Sequence, residues 1–214
     1  MVEAPAHKEL SVGSFLSLFG GVKGLIDSSV PVLVFIGVRL FSNLNTAIIA
    51  AVVSGVLILI LRQARGESLQ QAFSGFFGLL IAVVFARATG TGKGFFLPGI
   101  ILTAVSGLGF LVSLLVRRPA IALVLVAIDP KYAVWKTHEP LRQACARATG
   151  LWAATFFIRA AVATAVALTV GDNAKDNAIL FVVIQVERYA LMIAAALYTV
   201  AVVKRVPVPA LEQS

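Results

Sequence analysis

Apolar positions in this chain come in long blocks, without the strict alternation of a half-buried strand or the narrow stripe of a soluble amphipathic helix. Six blocks stand out, at about Leu25–Phe41, Leu44–Leu61, Leu69–Ala86, Pro98–Val116, Thr149–Val170 and Ala178–Val203. Each approaches or exceeds the roughly 20 residues that, at a rise of about 1.5 Å per residue, cross about 30 Å of hydrocarbon. The pattern predicts an all-α fold, a polytopic helical bundle with six transmembrane helices. Pro31 is expected near the start of the first helix, where its missing donor matters least. Ser74 and Gly78 are spaced for close helix contact in the third. The run 121–128, IALVLVAI, is too short to span and reads as an interfacial or re-entrant piece, or as a bent extension of the fourth helix.

Before the first block, Val12, Phe15, Leu16, Phe19, Val22 and Ile26 recur at helical spacing, which predicts a helix lying in the membrane interface. No compact apolar stretch ending in an A-x-A-like site precedes it, so a cleaved signal peptide is not expected. The resulting organisation is a tail and interfacial helix over residues 1–24, a membrane domain over 25–205 and a C-terminal tail over 206–214.

Composition agrees. Of 214 residues 59% are hydrophobic and 13% charged, and the mean hydropathy is +0.96, outside the range of ordinary soluble domains. The net charge of +8 would suit a nucleic-acid binder, but the basic residues are scattered over loops with no basic, aromatic-interleaved stripe, and no nucleic-acid partner is expected. Topology accounts for them: with both termini cytoplasmic, inner segments hold twelve Lys and Arg, and outer segments only Arg39, Arg87, Lys93 and Lys175. The expected location is therefore the plasma membrane, with the lipid bilayer as solvent and partner. Oligomeric state is not legible.

Several apparent motifs dissolve on inspection. Thr91-Gly92-Lys93-Gly94 ends like a phosphate-binding loop, yet Arg87 stands where that loop needs glycine and Gly94 where it needs serine or threonine; a glycine-rich helix stop is the expectation. The pentapeptide ARATG at 86–90 and 146–150 lacks matching flanks and is not a repeat. Cys145, His7 and His138 have no metal-ligand spacing, so neither metal nor cofactor is expected.

The chemistry must then come from ionisable residues inside the blocks. Arg159 lies about ten residues, or roughly 15 Å, into the fifth helix, and Glu187 about nine residues, or roughly 14 Å, into the sixth from the opposite face. If those helices are antiparallel neighbours the two side chains meet near the midplane, leaving Arg188 with an uncompensated charge. Each intramembrane charge costs about 2.5–3.5 kcal/mol on insertion scales and is by default a functional candidate. Trp152 and Phe156 share the face of Arg159, and Tyr198 lies further along that of Glu187. Arg39 falls in the outer third of the first helix, where it reaches inward or snorkels out; Asp27 is near the inner boundary. A purely structural set, with Arg159 and Glu187 stapling two helices and Asp27 capping a third, is the plainer alternative.

The stretches RQARGESLQQAFSGFFGLL, FFLPGIILTAVSGLGFLVSLLVRRP and AIDPKYAVWKTHEPLRQACARATGLWAATFFIRA resemble an actinobacterial family of small six-helix membrane proteins, most without assigned function. The likeness covers roughly residues 20–165, its most specific part being Thr149-x-x-Trp152-x-x-x-Phe156-x-x-Arg159. Gln185-Val186-Glu187-Arg188-Tyr189 departs from that family's pattern. In size and topology the chain is also similar to small bacterial membrane terpene cyclases. That resemblance implies protonation-initiated cyclisation of an apolar, farnesyl-type prenylated substrate, with Glu187 or Asp27 as acid and Arg159, Arg188, Arg39, Trp152, Phe156 and Tyr198 around the substrate. Arg159 fits this awkwardly, since a guanidinium disfavours a nearby carbocation; it would then pair with Asp27 or anchor a polar head. The competing expectations are a carrier for a small anionic or proton-coupled substrate and a non-catalytic envelope protein.

Overall fold

A computed structural model describes residues 21–66 and 69–207. Among them all regular structure is helical: α1 (Gly21–Phe41), α2 (Leu44–Ala64), α3 (Leu69–Thr89), a 3₁₀ turn (Lys93–Phe96), α4 (Leu97–Leu115), α5 (Ala120–Ile128), a second 3₁₀ turn (Pro130–Lys136), α6 (Glu139–Thr169) and α7 (Ala174–Lys204). Four stretches are long and apolar enough to cross a membrane: Leu44–Ala64, Lys93–Leu115, Glu139–Thr169 and Ala174–Lys204. The apolar runs Ser29–Phe41 and Phe76–Thr89 are shorter, although the helices that hold them have 21 residues each. Leu57, Ile60, Leu102, Val105, Leu168 and Val186 are among many large apolar side chains left exposed, a surface suited to lipid and not to water.

The starts of two helices differ from expectation. α1 begins by Gly21, so the expected interfacial helix merges with it over 21–26; the remainder of that expected helix lies outside the described residues. Pro31 is consequently the eleventh residue of a 21-residue helix and removes the donor for the Asp27 carbonyl, an interior position that membrane helices tolerate. Asp27 likewise stands inside α1 and does not cap it. α6 begins at Glu139, ten residues before the apolar block. Its first turn is polar because it is closed by capping: the Leu141 N–H donates to His138 Nδ1 at 3.3 Å, and Arg142 pairs with Glu139. The run 120–128 forms α5 as a separate short helix.

The chain divides into two compact units, one built from Phe19–Leu102 and Ala160–Val186, the other from Thr103–Arg159 and the chain from Glu187 onward. We call them the Phe35 unit and the Trp152 unit after their largest buried aromatic residues; α6 and α7 supply residues to both.

In the Phe35 unit, α1 packs on α2 and α2 on α3. Its core stacks Phe35 on Phe95 with ring centroids 4.3 Å apart and sets Phe96 edge-on to both, beside Ile48, Leu79 and Leu180. The glycines at 90–94 end α3. Gly90 adopts φ 66°, and a side chain at Gly92 would collide with the buried Asn177 amide. This is a helix stop, as its sequence implies. In the Trp152 unit, α5 and the turn after it cover α6 with Ile121, Leu125, Tyr132 and Trp135 against Leu141, Cys145 and Ala148. Thr149 Oγ1 fixes the start of α5 by accepting the Ile121 N–H at 3.2 Å. Asp129 caps the turn by accepting the Lys131 N–H at 2.9 Å, and burial pushes the Tyr132 phenol above its ordinary value.

Cys145, fully buried in this core, is the chain's one cysteine. The folded protein in detergent should react with a maleimide at least tenfold more slowly than the same protein in denaturing detergent, read as mass shift over time. Equal rates in both would show that the α5–α6 core is open.

Candidate functional site

Trp152, Phe156 and Arg159 fall at i, i+4 and i+7 on α6, and so occupy one face. That face meets Phe110 of α4 and the α7 segment from Glu187 to Thr199. Phe110, Trp152 and Phe156 form a trio with centroids 5.3–6.2 Å apart, and the Arg159 guanidinium carbon stands 5.8 Å from the Phe156 centroid. Trp152 is buried, its Nε1–H donating to Thr199 Oγ1 at 3.0 Å, while the Thr199 hydroxyl donates to the Ala195 carbonyl at 2.8 Å. This pair satisfies two polar groups that would otherwise be stranded in apolar surroundings.

The expected intramembrane pair is formed. Arg159 Nε lies 3.5 Å from Glu187 Oε1, with Arg159 buried and Glu187 nearly so. The contact is single-point and lacks the two parallel bonds of an arginine–carboxylate fork. Arg159 Nε and Glu187 Oε2 are buried without a hydrogen-bond partner among the described residues. Arg188, half-buried, makes no hydrogen bond or ion pair with any described residue. Two arginines and one glutamate leave this group with one positive charge in excess. Tyr198 is 40% exposed and takes no part in the trio or the pair.

Asp27 and Arg39 belong to the Phe35 unit. Asp27 is claimed by two arginines at the C-terminal end of α2: the C-cap Arg65, with Nη1 at 2.8 Å from Oδ2, and Arg62 of the last turn, with Nε at 3.6 Å and Arg62 itself buried. Arg159 therefore takes Glu187 as its partner and not Asp27. Arg39 turns toward the end of α1, donating to the Ser42 and Asp172 carbonyls at 3.4 Å each. Of the eight candidates, Trp152, Phe156, Arg159, Glu187 and Arg188 make one neighbourhood; Tyr198 shares their unit but stands aside.

Sequence reasoning missed Phe110, Thr199 and Gly107. An isolated phenylalanine or threonine in an apolar block carries no signal of its partner. Gly107 does carry one, in the closely spaced small residues Ser106, Gly107 and Gly109. A Cβ there would lie 3.1 Å from Phe156 Cβ and 3.4 Å from the Phe157 ring, so the bare backbone lets α4 close on α6 beside the site.

The chain belongs to the DUF3159 family of proteins of unknown function, whose pattern it matches over residues 19–209. No curated protein and no solved structure matches it.

Gly107→Val should push α4 off α6 and cost about 1–3 kcal/mol by overpacking against a Cβ that has little room to move. The check is thermal unfolding in a mild detergent; an unchanged midpoint would mean that the two helices are not in close contact.

Proposed function

We propose that this member of a family without an assigned activity is a six-span protein of the plasma membrane, with α1 and α3 joining the four longer stretches as spans and both termini cytoplasmic. In this reading it carries a small anion together with a proton. The Arg159–Glu187–Arg188 group supports the assignment: a charge pair at span depth, joined at one 3.5 Å contact beside a second, unpaired guanidinium. A pair meant only to staple two helices would gain most from a fork with every donor and acceptor engaged. A loose pair can exchange partners. When Glu187 takes up a proton, Arg159 is released to hold an anion; when the proton leaves, the carboxylate reclaims the guanidinium and displaces it. One proton then moves per anion charge, and the excess charge on Arg188 favours the anion's arrival.

The test is flux into proteoliposomes holding a pH-sensitive dye, with chloride, nitrate, phosphate and citrate as probes. Wild type is expected to give saturable, protein-dependent uptake of at least one, together with proton movement. Arg159→Gln should lower it at least tenfold, and Glu187→Gln should retain anion binding but lose the coupled pH change. Helicity and monodispersity of each variant must first match wild type. Folded wild type that moves none of these probes would defeat this reading.

The terpene cyclase, with its actinobacterial likeness, is kept as a second reading because of the aromatic trio beside a glutamate with one unengaged oxygen. An aromatic wall and a carboxyl group are the parts that protonation-initiated cyclisation needs. Against it, Trp152 is packed into the core with its N–H spent on Thr199, and Asp27, the other acid, is held by two arginines in the Phe35 unit. Membranes incubated with a farnesylated indole or diketopiperazine, or its epoxide, decide the matter by mass and retention. An isomeric product lost in Glu187→Gln would establish the cyclase; its absence with folded protein would remove it.

A further inference from the structure

In the Trp152 unit the C-terminal ends of α4 and α7 reach the level of the third turn of α6, and each of the three brings arginine or lysine to it. α7 is pinned antiparallel to α6 by the Trp152–Thr199 hydrogen bond. Five residues on from Thr199 is Lys204 and five back from Trp152 is Arg147, each about 7.5 Å along its own helix in the same direction. α4 is also antiparallel to α6: Gly107 meets Phe156, and Leu114 packs over Gly150. Three residues beyond Leu114 is Arg117, and three back from Gly150 is again Arg147. The Ile121–Thr149 hydrogen bond returns the chain to this level after Arg118.

Arg117, Arg118, Arg147, Lys204 and Arg205 are all exposed, and their side chains form no hydrogen bond or ion pair with any described residue. Among the described residues the two acids of this end are already taken, Asp129 by Lys131 at 3.1 Å and Glu139 by Arg142. Arg117 moreover adopts φ 55°, a left-handed conformation that a helix-ending residue usually gives to glycine. An arginine kept at such a position puts its charge where a glycine would have been easier.

We infer that this basic rim is a binding site for the headgroups of anionic phospholipids. The basic residues identify the charge of the ligand, and what borders them identifies its other half. Leu115 and Val116, 73% and 58% exposed, come immediately before Arg117, so cation and bare apolar surface adjoin along one helix. An amphiphile with a phosphate at one end and acyl chains at the other covers both. A soluble anion, a nucleic acid or an acidic protein covers only the cations. The inference does not depend on what the protein carries.

The test uses the full-length protein in nanodiscs of phosphatidylcholine with or without about 30% phosphatidylglycerol of the same acyl chains, with retained lipid counted by native mass spectrometry. Wild type should enrich phosphatidylglycerol over its share in the disc, and raising salt from about 0.1 to 1 M should erode the preference as screening shortens. Each of Arg117→Gln, Arg118→Gln and Arg147→Gln should lower enrichment about fivefold, the equivalent of about 1 kcal/mol per surface charge. Arg87→Gln, at the end of α3 in the other unit, should leave it unchanged.

Adding inorganic phosphate or glycerol phosphate separates a lipid site from a plain anion site. Displacement of the lipid by either at millimolar concentration would overturn the assignment. So would equal retention of both lipids, or an Arg87→Gln loss as large as the others. If phosphatidylglycerol is ignored but an acidic protein or RNA is bound, the rim serves that partner instead and the lipid assignment fails.

Discussion

A charge inside hydrocarbon must be met by another group, and the placing of α6 against α7 in the Trp152 unit follows from meeting several at once. Arg159 has Glu187, Trp152 Nε1–H has Thr199, and the Thr199 hydroxyl has a carbonyl one turn back. In water these contacts would each compete with solvent and be worth little. In a lipid setting the competitor is nothing at all, so two helices of unremarkable apolar composition acquire a single register. Sliding one of them by a turn would strand an arginine, a glutamate and an indole together.

Close approach comes from residues with little or no side chain. Gly107 lets α4 reach Phe156 and Phe157, and Gly92 makes room for the Asn177 amide in the Phe35 unit. Elsewhere capping does comparable work. His138 accepts an N–H at the start of α6 and Asp129 accepts one at the turn before it, so the longest polar stretch in the chain is ordered by its own side chains. His138 Nδ1 and Asp129 Oδ1 are thereby committed to backbone, and Asp129 Oδ2 to Lys131.

Most of the helices were legible because apolar blocks of spanning length have few alternative uses. The limits of α2 and α5 came close to expectation on that basis alone. The start of α6 did not, because hydropathy marks where lipid begins and not where helix begins, and polar residues with a good cap extend a helix past the apolar boundary. The Arg159–Glu187 pair was legible because depth along a helix is countable and antiparallel neighbours are the default for a short connection. The partners of Asp27 were not. Arg62 and Arg65 look like ordinary positive residues after a span, and only the packing of α1 on α2 shows that they converge on one carboxylate. The allotment of candidate residues to two units is a property of packing, and no local signal records it.

Lys93 illustrates what such packing does to the reach of other molecules. Its ammonium donates to the Ala167 and Val170 carbonyls at 3.1 and 2.9 Å, and its backbone N–H to Asp172 Oδ1 at 3.1 Å, while Arg39 holds the Asp172 carbonyl. The connection between α6 and α7 is therefore stapled by cations from two other segments. A trypsin-like protease must take a lysine side chain into its own pocket, and this one is not for the taking. Arg87 and Lys175, on either side of it in the chain, leave their side chains exposed, so on accessibility alone a protease meets them before Lys93.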